Sequence, residues 1–200
     1  MAKKIFYFIS LVILNIPCYS QTIVKIEGLG KLTCPAKMEV QGGSYKEYVE
    51  KVKEINGVSA SKVIFQQKGL NNGDGGFDTY ARVMIRTIYG DFNSITSRPT
   101  SLEVNDVNST FKQQVYSEAS QNNATIISWN NAISTTINSY PAIKFGYKRK
   151  IGSNPVVTVE TYLIQNRTKM YSISFENRTD SYNWAATFST IKNSLSINKN

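Results

Sequence analysis

Chemistry in this chain falls to lysine, arginine, tyrosine, serine and the carboxylates, because the sequence contains no histidine. That removes Ser-His-Asp and Cys-His nucleophilic catalysis, and zinc or haem held through imidazole. Two cysteines are too few for a four-cysteine metal site or an all-cysteine iron–sulfur cluster. What remains for covalent catalysis is a serine or threonine activated by lysine. Ser-x-x-Lys spacing occurs at Ser59 and Lys62, Ser109 and Lys112, Ser189 and Lys192, and Ser196 and Lys199. Only Ser109 stands near the start of an expected helix, and none of the pairs carries the companion motifs of a Ser-Lys enzyme. In a chain this rich in both residues, chance accounts for the spacing. The 14 acidic residues are scattered over expected loops and polar faces, which does not suit paired-carboxylate chemistry. The sequence therefore points away from an enzyme, and no cofactor is expected.

Binding chemistry is better represented. Lys144, Lys148, Arg149 and Lys150 form a basic run on one expected strand, with Arg167, Lys169 and Arg178 further along. Gathered at one end of a sheet, these cations would attract a glycan, a phospholipid headgroup or an acidic protein. A solvated strand face that discourages edge pairing is the plainer use of the same residues. Tyrosine is the second resource, with twelve in the chain. Tyr140, Tyr147, Tyr162, Tyr171 and Tyr182 fall in the C-terminal half with Trp129 and Trp184. Aromatic platforms bind sugars and protein partners, although tyrosine is also a good strand residue. Tyr147 and Tyr162 join Lys144, Lys148, Arg149 and Lys150 as the candidate partner-binding surface. The segment from Asn71 to Asp78 offers oxygen ligands that would suit Ca²⁺. Its spacing is not that of an EF-hand loop and no bidentate Glu follows, so a hairpin tip is the simpler reading.

Residues 1–20 read as a secretory signal. Lys3 and Lys4 give the positive start, Ile5 to Ile16 the apolar run, and Cys18-Tyr19-Ser20 the small residues before a cut ahead of Gln21. Cys18 also allows a lipid anchor, although Asn15-Ile16-Pro17 is a poor lead-in for that processing. Cleavage leaves residues 21–200 as one domain, with 21 Lys and Arg against 14 Asp and Glu, a charge of +7. No later stretch is long and apolar enough to span a membrane. An exported chain has no expected nucleic-acid partner; a protein or envelope component is the expected one. The mature chain keeps a single thiol, Cys34, which is expected to be buried at a strand end.

The elements that would position these residues are legible from periodicity. Thr22 to Glu27 and Lys31 to Cys34 read as short strands, and Tyr45 to Ile55 as a helix. Lys62 to Lys68 and Thr79 to Tyr89 read as a hairpin; Ala81, Val83 and Ile85 face one side, Arg82 and Arg86 the other. Val104, Val107, Phe111, Val115 and Ala119 recur at helical spacing, with Asn105 or Asp106 as the cap. Residues 125–139 fit a strand or a helix, and a short strand is preferred. Ala142 to Lys150, Pro155 to Ile164 and Lys169 to Glu176 form a meander joined by short turns. Ser181 to Ile197 reads as an amphipathic helix capped by Asp180 or Ser181, its Trp184, Phe188, Ile191 and Leu195 covering the meander. The sum is an α+β fold: an antiparallel sheet of about six or seven strands with helices packed on its faces.

This order resembles the PsbP-like fold, an α/β/α sandwich. Gly30-Lys31-Leu32-Thr33-Cys34-Pro35 stands where that fold has a short strand ending in proline. The meander at Tyr147-Lys148-Arg149, Val157-Thr158-Val159 and Tyr171-Ser172-Ile173 follows, and Trp184 to Leu195 resembles the terminal helix, with Leu195 in place of a usual Phe. The fold is shared by an extrinsic photosystem II protein, a Ran-binding nuclear import factor and many secreted bacterial proteins. It hosts unrelated binding roles, so the resemblance implies fold and not function. The expected function is a secreted or periplasmic, non-catalytic binding domain. The alternative is a small-molecule or lipid carrier with an apolar pocket between helix and sheet, lined by Trp129, Tyr147, Tyr171 and Trp184.

Overall fold

Alternating residues build most of this structure. The computed structural model describes residues 21–43, 62–73 and 79–198. In chain order the strands are β1 (Thr22–Ile26), β2 (Gly30–Cys34), β3 (Met38–Val40), β4 (Lys62–Gln67), β5 (Ala81–Tyr89), β6 (Ala124–Ile137), β7 (Tyr140–Ile151), β8 (Val157–Asn166), β9 (Lys169–Arg178) and β10 (Ser196–Ile197). The long helices among the described residues are α1 (Ser101–Gln121) and α2 (Ala185–Ser194). Seven strands form one sheet in the order β3-β4-β5-β9-β8-β7-β6, every neighbour antiparallel. The strands β1, β2 and β10 form a separate small sheet. The expected signal at residues 1–20 and the expected helix at Tyr45 to Ile55 lie outside the described residues.

The strand period sorts side chains onto two faces. Val83 and Ile85 of β5, Ile173 and Phe175 of β9, and Tyr162 and Ile164 of β8 turn one way. There they meet Phe188 and Ile191 of α2, with Trp184 and Leu195 at its two ends. Ile143 and Phe145 of β7 and Leu163 of β8 turn the other way, against Val104, Val107 and Phe111 of α1 and Trp129 of β6. Helices on both faces of an antiparallel sheet make the α/β/α layering that the sequence implied.

Three elements differ from their sequence reading. Residues 124–137 form a strand of 14 residues, not a short one. Register breaks between Ile126 and Ser128 and between Asn130 and Ile133 interrupt its alternation. Those bulges let Trp129, Ile133 and Ile137 mimic helical spacing. Asn108 of α1 satisfies the second bulge: its Oδ1 accepts from the Ala132 N–H at 2.9 Å and the Trp129 Nε1–H at 3.0 Å. The second difference is the start of α1, which is capped by Thr100 rather than Asn105 or Asp106. The Thr100 hydroxyl accepts from the Glu103 N–H at 3.3 Å while Glu103 accepts from the Thr100 N–H at 2.8 Å. That reciprocal pair is a capping box. Third, α2 is shorter than Ser181 to Ile197 and has no side-chain cap from Asp180 or Ser181. It stops at Ser194 because Ser196 and Ile197 pair with Lys31 and Gly30 of β2. Only glycine fits at residue 30: its φ is +143°, and a Cβ there would lie 2.0 Å from the Ser196 carbonyl oxygen.

Candidate functional site

The face beneath α1 is unevenly covered. Among the described residues that helix lies chiefly over β6 and touches β7 at its edge, and a trough runs beside it. Strand register arranges the open area in rows. Across β7, β8, β9 and β5 the rows read Ile143, Leu163, Ser172, Arg86; then Phe145, Thr161, Ser174, Met84; then Tyr147, Val159, Glu176, Arg82. The last row is Arg149, Val157 and Arg178, whose N–H donates to the Tyr80 carbonyl at 3.1 Å. The first and third rows run from apolar near α1 to an arginine on β5, the second ends in Met84, and the last carries an arginine at each end. The result is a trough in two parts. One part, of about 190 Å³, lies between the sheet and Phe111, Gln114, Val115 and Glu118 of α1. The other, of about 430 Å³, is bounded by Tyr80, Ile151, Pro155 and Val157. Arg82 and Arg149 line both.

Glu176 anchors the trough. It is 2% exposed. Its Oε2 accepts from the Tyr80 hydroxyl at 2.8 Å, from Arg149 Nη2 at 3.1 Å and from Arg82 Nη2 at 3.5 Å. Burial, and then the Glu176 charge, push the Tyr80 hydroxyl well above its ordinary range, so Tyr80 stays protonated and donates. The buried Nε–H of Arg149 finds no acceptor. Arg86 is exposed and makes no side-chain hydrogen bond or ion pair with the described residues. Two guanidinium groups flank one buried carboxylate, and Arg86 adds a further cation on the same face. Glu118 on the helical wall opposes them, its carboxylate accepting from Gln114. Such a surface can hold an anion by forked, charge-assisted hydrogen bonds.

The basic run of the sequence is split by the pleat. Lys144, Lys148 and Lys150 share the α2-side face of β7, whereas Arg149 and Tyr147 project into the trough. Tyr147 stacks on Trp129, ring centroids 5.8 Å apart, and burial raises its hydroxyl. Tyr162 lies on the α2 side with Lys144. The six candidate residues therefore do not form one surface. Arg167 and Lys169 are also separated from Arg178, because the two ends of β9 lie at opposite ends of the sheet. The aromatic residues divide likewise: Trp129 and Tyr147 pack under α1, while Tyr171 and Trp184 are buried on the α2 side at 0% and 4% exposure. They line no common pocket.

On the α2 side, Glu160 holds Lys144 and Lys192. Its Oε1 accepts from Lys192 at 2.5 Å and from the Tyr162 hydroxyl at 2.9 Å, and its Oε2 faces Lys144 at 3.5 Å. Burial acts to raise the Glu160 carboxyl, but the bond and charge of Lys192 outweigh it and hold the group below its ordinary value. Burial and then Glu160 raise the Tyr162 hydroxyl. Lys192 is thus committed to a carboxylate and not to Ser189, whose Oγ meets Asn193 at 3.4 Å. Ser109 donates to the Asp106 carbonyl at 3.0 Å and stays on the exposed side of α1. Cys34 is buried as expected; burial, then Glu39, push its thiol up to about 11, which leaves it inert at neutral pH. Asn71, the first residue of the Ca²⁺ candidate, is a staple: its Oδ1 already accepts from the Gly42 N–H and Gln66. Residues 74–78 of that loop lie outside the described residues. Among the described residues no group of three or more Cys, Asp or Glu could hold a metal ion.

Glu176 and Arg82 are the trough residues that the sequence reading did not single out as binding candidates. The signal was the polar phase Ser172-x-Ser174-x-Glu176, the complement of the apolar phase at Tyr171, Ile173 and Phe175. It gains meaning only beside Arg82 and Arg86 of β5.

No protein-family model and no curated protein matches the chain. Among solved structures it is similar to the solution structure of cyanobacterial PsbP (CyanoP) from Synechocystis sp. PCC 6803. The TM-score is 0.53 at 16% identity, over 92% of this chain and 96% of that one. The chain therefore has the PsbP-like fold. At that identity the likeness concerns the fold alone.

Proposed function

We propose that the chain is an exported, non-catalytic binding domain, secreted or periplasmic, that recognises a protein or envelope component through the arginine-lined trough. The observation that carries this reading is the Glu176 cluster. Burying a carboxylate costs several kcal/mol unless it is well paired. Here the pairing draws two arginines onto an open sheet face, where a core would ordinarily be apolar. Export is supported by the pattern of residues 1–20. A non-catalytic role is supported by the commitment of Lys192 to Glu160 and the burial of Cys34. Among the described residues no helix is long and apolar enough to cross a membrane.

The test is site-specific photo-crosslinking in the native cells. A benzophenone side chain replaces Gln114, which lines the trough from α1, or Lys25, exposed on the small sheet. The proposal expects discrete crosslinks from position 114 in the exported fraction and none from position 25. Identical patterns from both positions would refute it, and so would retention of the full-length chain in the cytoplasm.

A further inference from the structure

We infer that the cleft beside α2, on the sheet face opposite the trough, binds a neutral saccharide. The site is separate from the trough and does not depend on it. Strand pairing sets its floor: Thr158 of β8 stands opposite Asn177 of β9, and Glu160 opposite Phe175, all on the α2 side. Ala185, Phe188, Ser189 and Lys192 of α2 form the wall, spaced so that they share one helix face. Thr179 and the segment from Ser181 to Asn183, between β9 and α2, close one end. Together they bound about 540 Å³, within the roughly 300–1,000 Å³ usual for small-molecule sites.

The charges around this cleft are already paired, which directs it away from ions. Glu160 meets Lys192 at 2.5 Å and Lys144 at 3.5 Å, and Arg178 meets Asp180 through two bonds of 2.9 Å. The neutral groups between them keep bonding capacity. Thr158 makes no side-chain bond among the described residues. Asn177 donates to the Arg178 carbonyl at 2.8 Å and leaves its Oδ1 without a donor there. The Ser189 hydroxyl accepts from Asn193 at 3.4 Å with its own proton uncommitted. Hydroxyl and amide groups that both donate and accept match the same dual character of sugar hydroxyls. Tyr182 supplies the apolar part of the match. Of the five C-terminal tyrosines named above it alone is exposed, at 45%, and it lines the cleft. Trp184 holds it edge-on at 5.2 Å, and Lys37 sits over its ring from the neighbouring cleft. A half-exposed ring held in this way is a platform for the C–H face of a pyranose.

The test applies the full chain to an immobilised array of neutral and uronate-bearing saccharides, at low and at high salt. The expected result is retention on neutral pyranosides that is equal at both salt concentrations, because no net charge is neutralised on binding. Tyr182→Ala should weaken that retention at least tenfold, and Tyr182→Phe, which keeps the ring, should preserve it. Ser189→Arg fills the cleft from an exposed helix position and leaves the aromatic core in place, so it should weaken retention as much as Tyr182→Ala. Retention of no neutral saccharide above the level of Ser189→Arg would overturn the inference. So would a preference for uronate-bearing saccharides that fades at high salt, which would move recognition to the exposed Lys148 and Lys150. Retention unchanged in both Tyr182→Ala and Ser189→Arg would place the sugar outside this cleft and overturn the inference as well.

Discussion

At the scale of single residues, the chain concentrates its buried charge at Glu176. Its carboxylate is balanced by Arg82 and Arg149 and receives the Tyr80 hydroxyl. Removing one partner of such a cluster leaves uncompensated charge in a poorly solvated place. Glu176→Gln is therefore expected to destabilise the fold by about 3–5 kcal/mol, measured by urea unfolding. A loss under 1 kcal/mol would mean that the arginines relax into solvent without it, and that the cluster is a surface ion pair. The sequence disclosed half of this cluster. Arg82 and Arg86 were legible on one side of an alternating strand. Glu176 was not, because its partners arrive from β5 and β7, and β5 lies some ninety residues earlier in the chain. Pairing of that range is set by tertiary packing and leaves no local mark. The basic run misled for a related reason: consecutive cations on a strand face opposite ways.

At the scale of elements, short-range signals were read well and boundaries less so. The meander of β7, β8 and β9 was plain because short turns force antiparallel neighbours. The cap of α1 was missed although its signature is local. Thr100 directly follows Pro99 and Glu103 stands three residues after it, but Asn105 and Asp106, a little further on, are equally good capping types. The 14-residue β6 was obscured by its two bulges, and the end of α2 by strand pairing that only the folded chain reveals. The capping box makes a pH prediction. The Thr100 N–H holds the Glu103 carboxyl below its ordinary value of 4.5, against a smaller opposing effect of burial. A carboxyl lowered on folding adds stability above its unfolded value, and that stability is lost as pH falls through the folded value. Unfolding free energy should therefore decline below about pH 4.5 less steeply in Glu103→Gln than in the parent chain. Equal slopes would show that the box does not couple to protonation. Thr100→Ala should cost about 1 kcal/mol at neutral pH.

At the scale of the whole molecule, the α/β/α layering uses its two faces differently. The α2 side is closed by Trp184, Phe188, Ile191 and Leu195 and carries the larger core. On the α1 side, Phe111, Trp129, Phe145 and Tyr147 pack together along β6 and β7, and Ile64 and Gln66 of β4 are also buried on that face. The arginine-lined trough lies on the same face, between α1 and β5. On the proposed reading, recognition falls on the α1 side and the larger core on the α2 side, so the exposed residues of the trough, unlike the buried Glu176, can change without loss of the fold. Arg86 tests that division most directly, because it lines the trough, is exposed and has no partner among the described residues. The measurement is Arg86→Glu, read for unfolding free energy and for crosslinking from position 114 in the same preparation. The account predicts a stability change within about 0.5 kcal/mol, as for ordinary surface substitutions, together with loss of the crosslinked partner. Crosslinking at the parent yield, with the charge reversed at the open side of the trough, would contradict it.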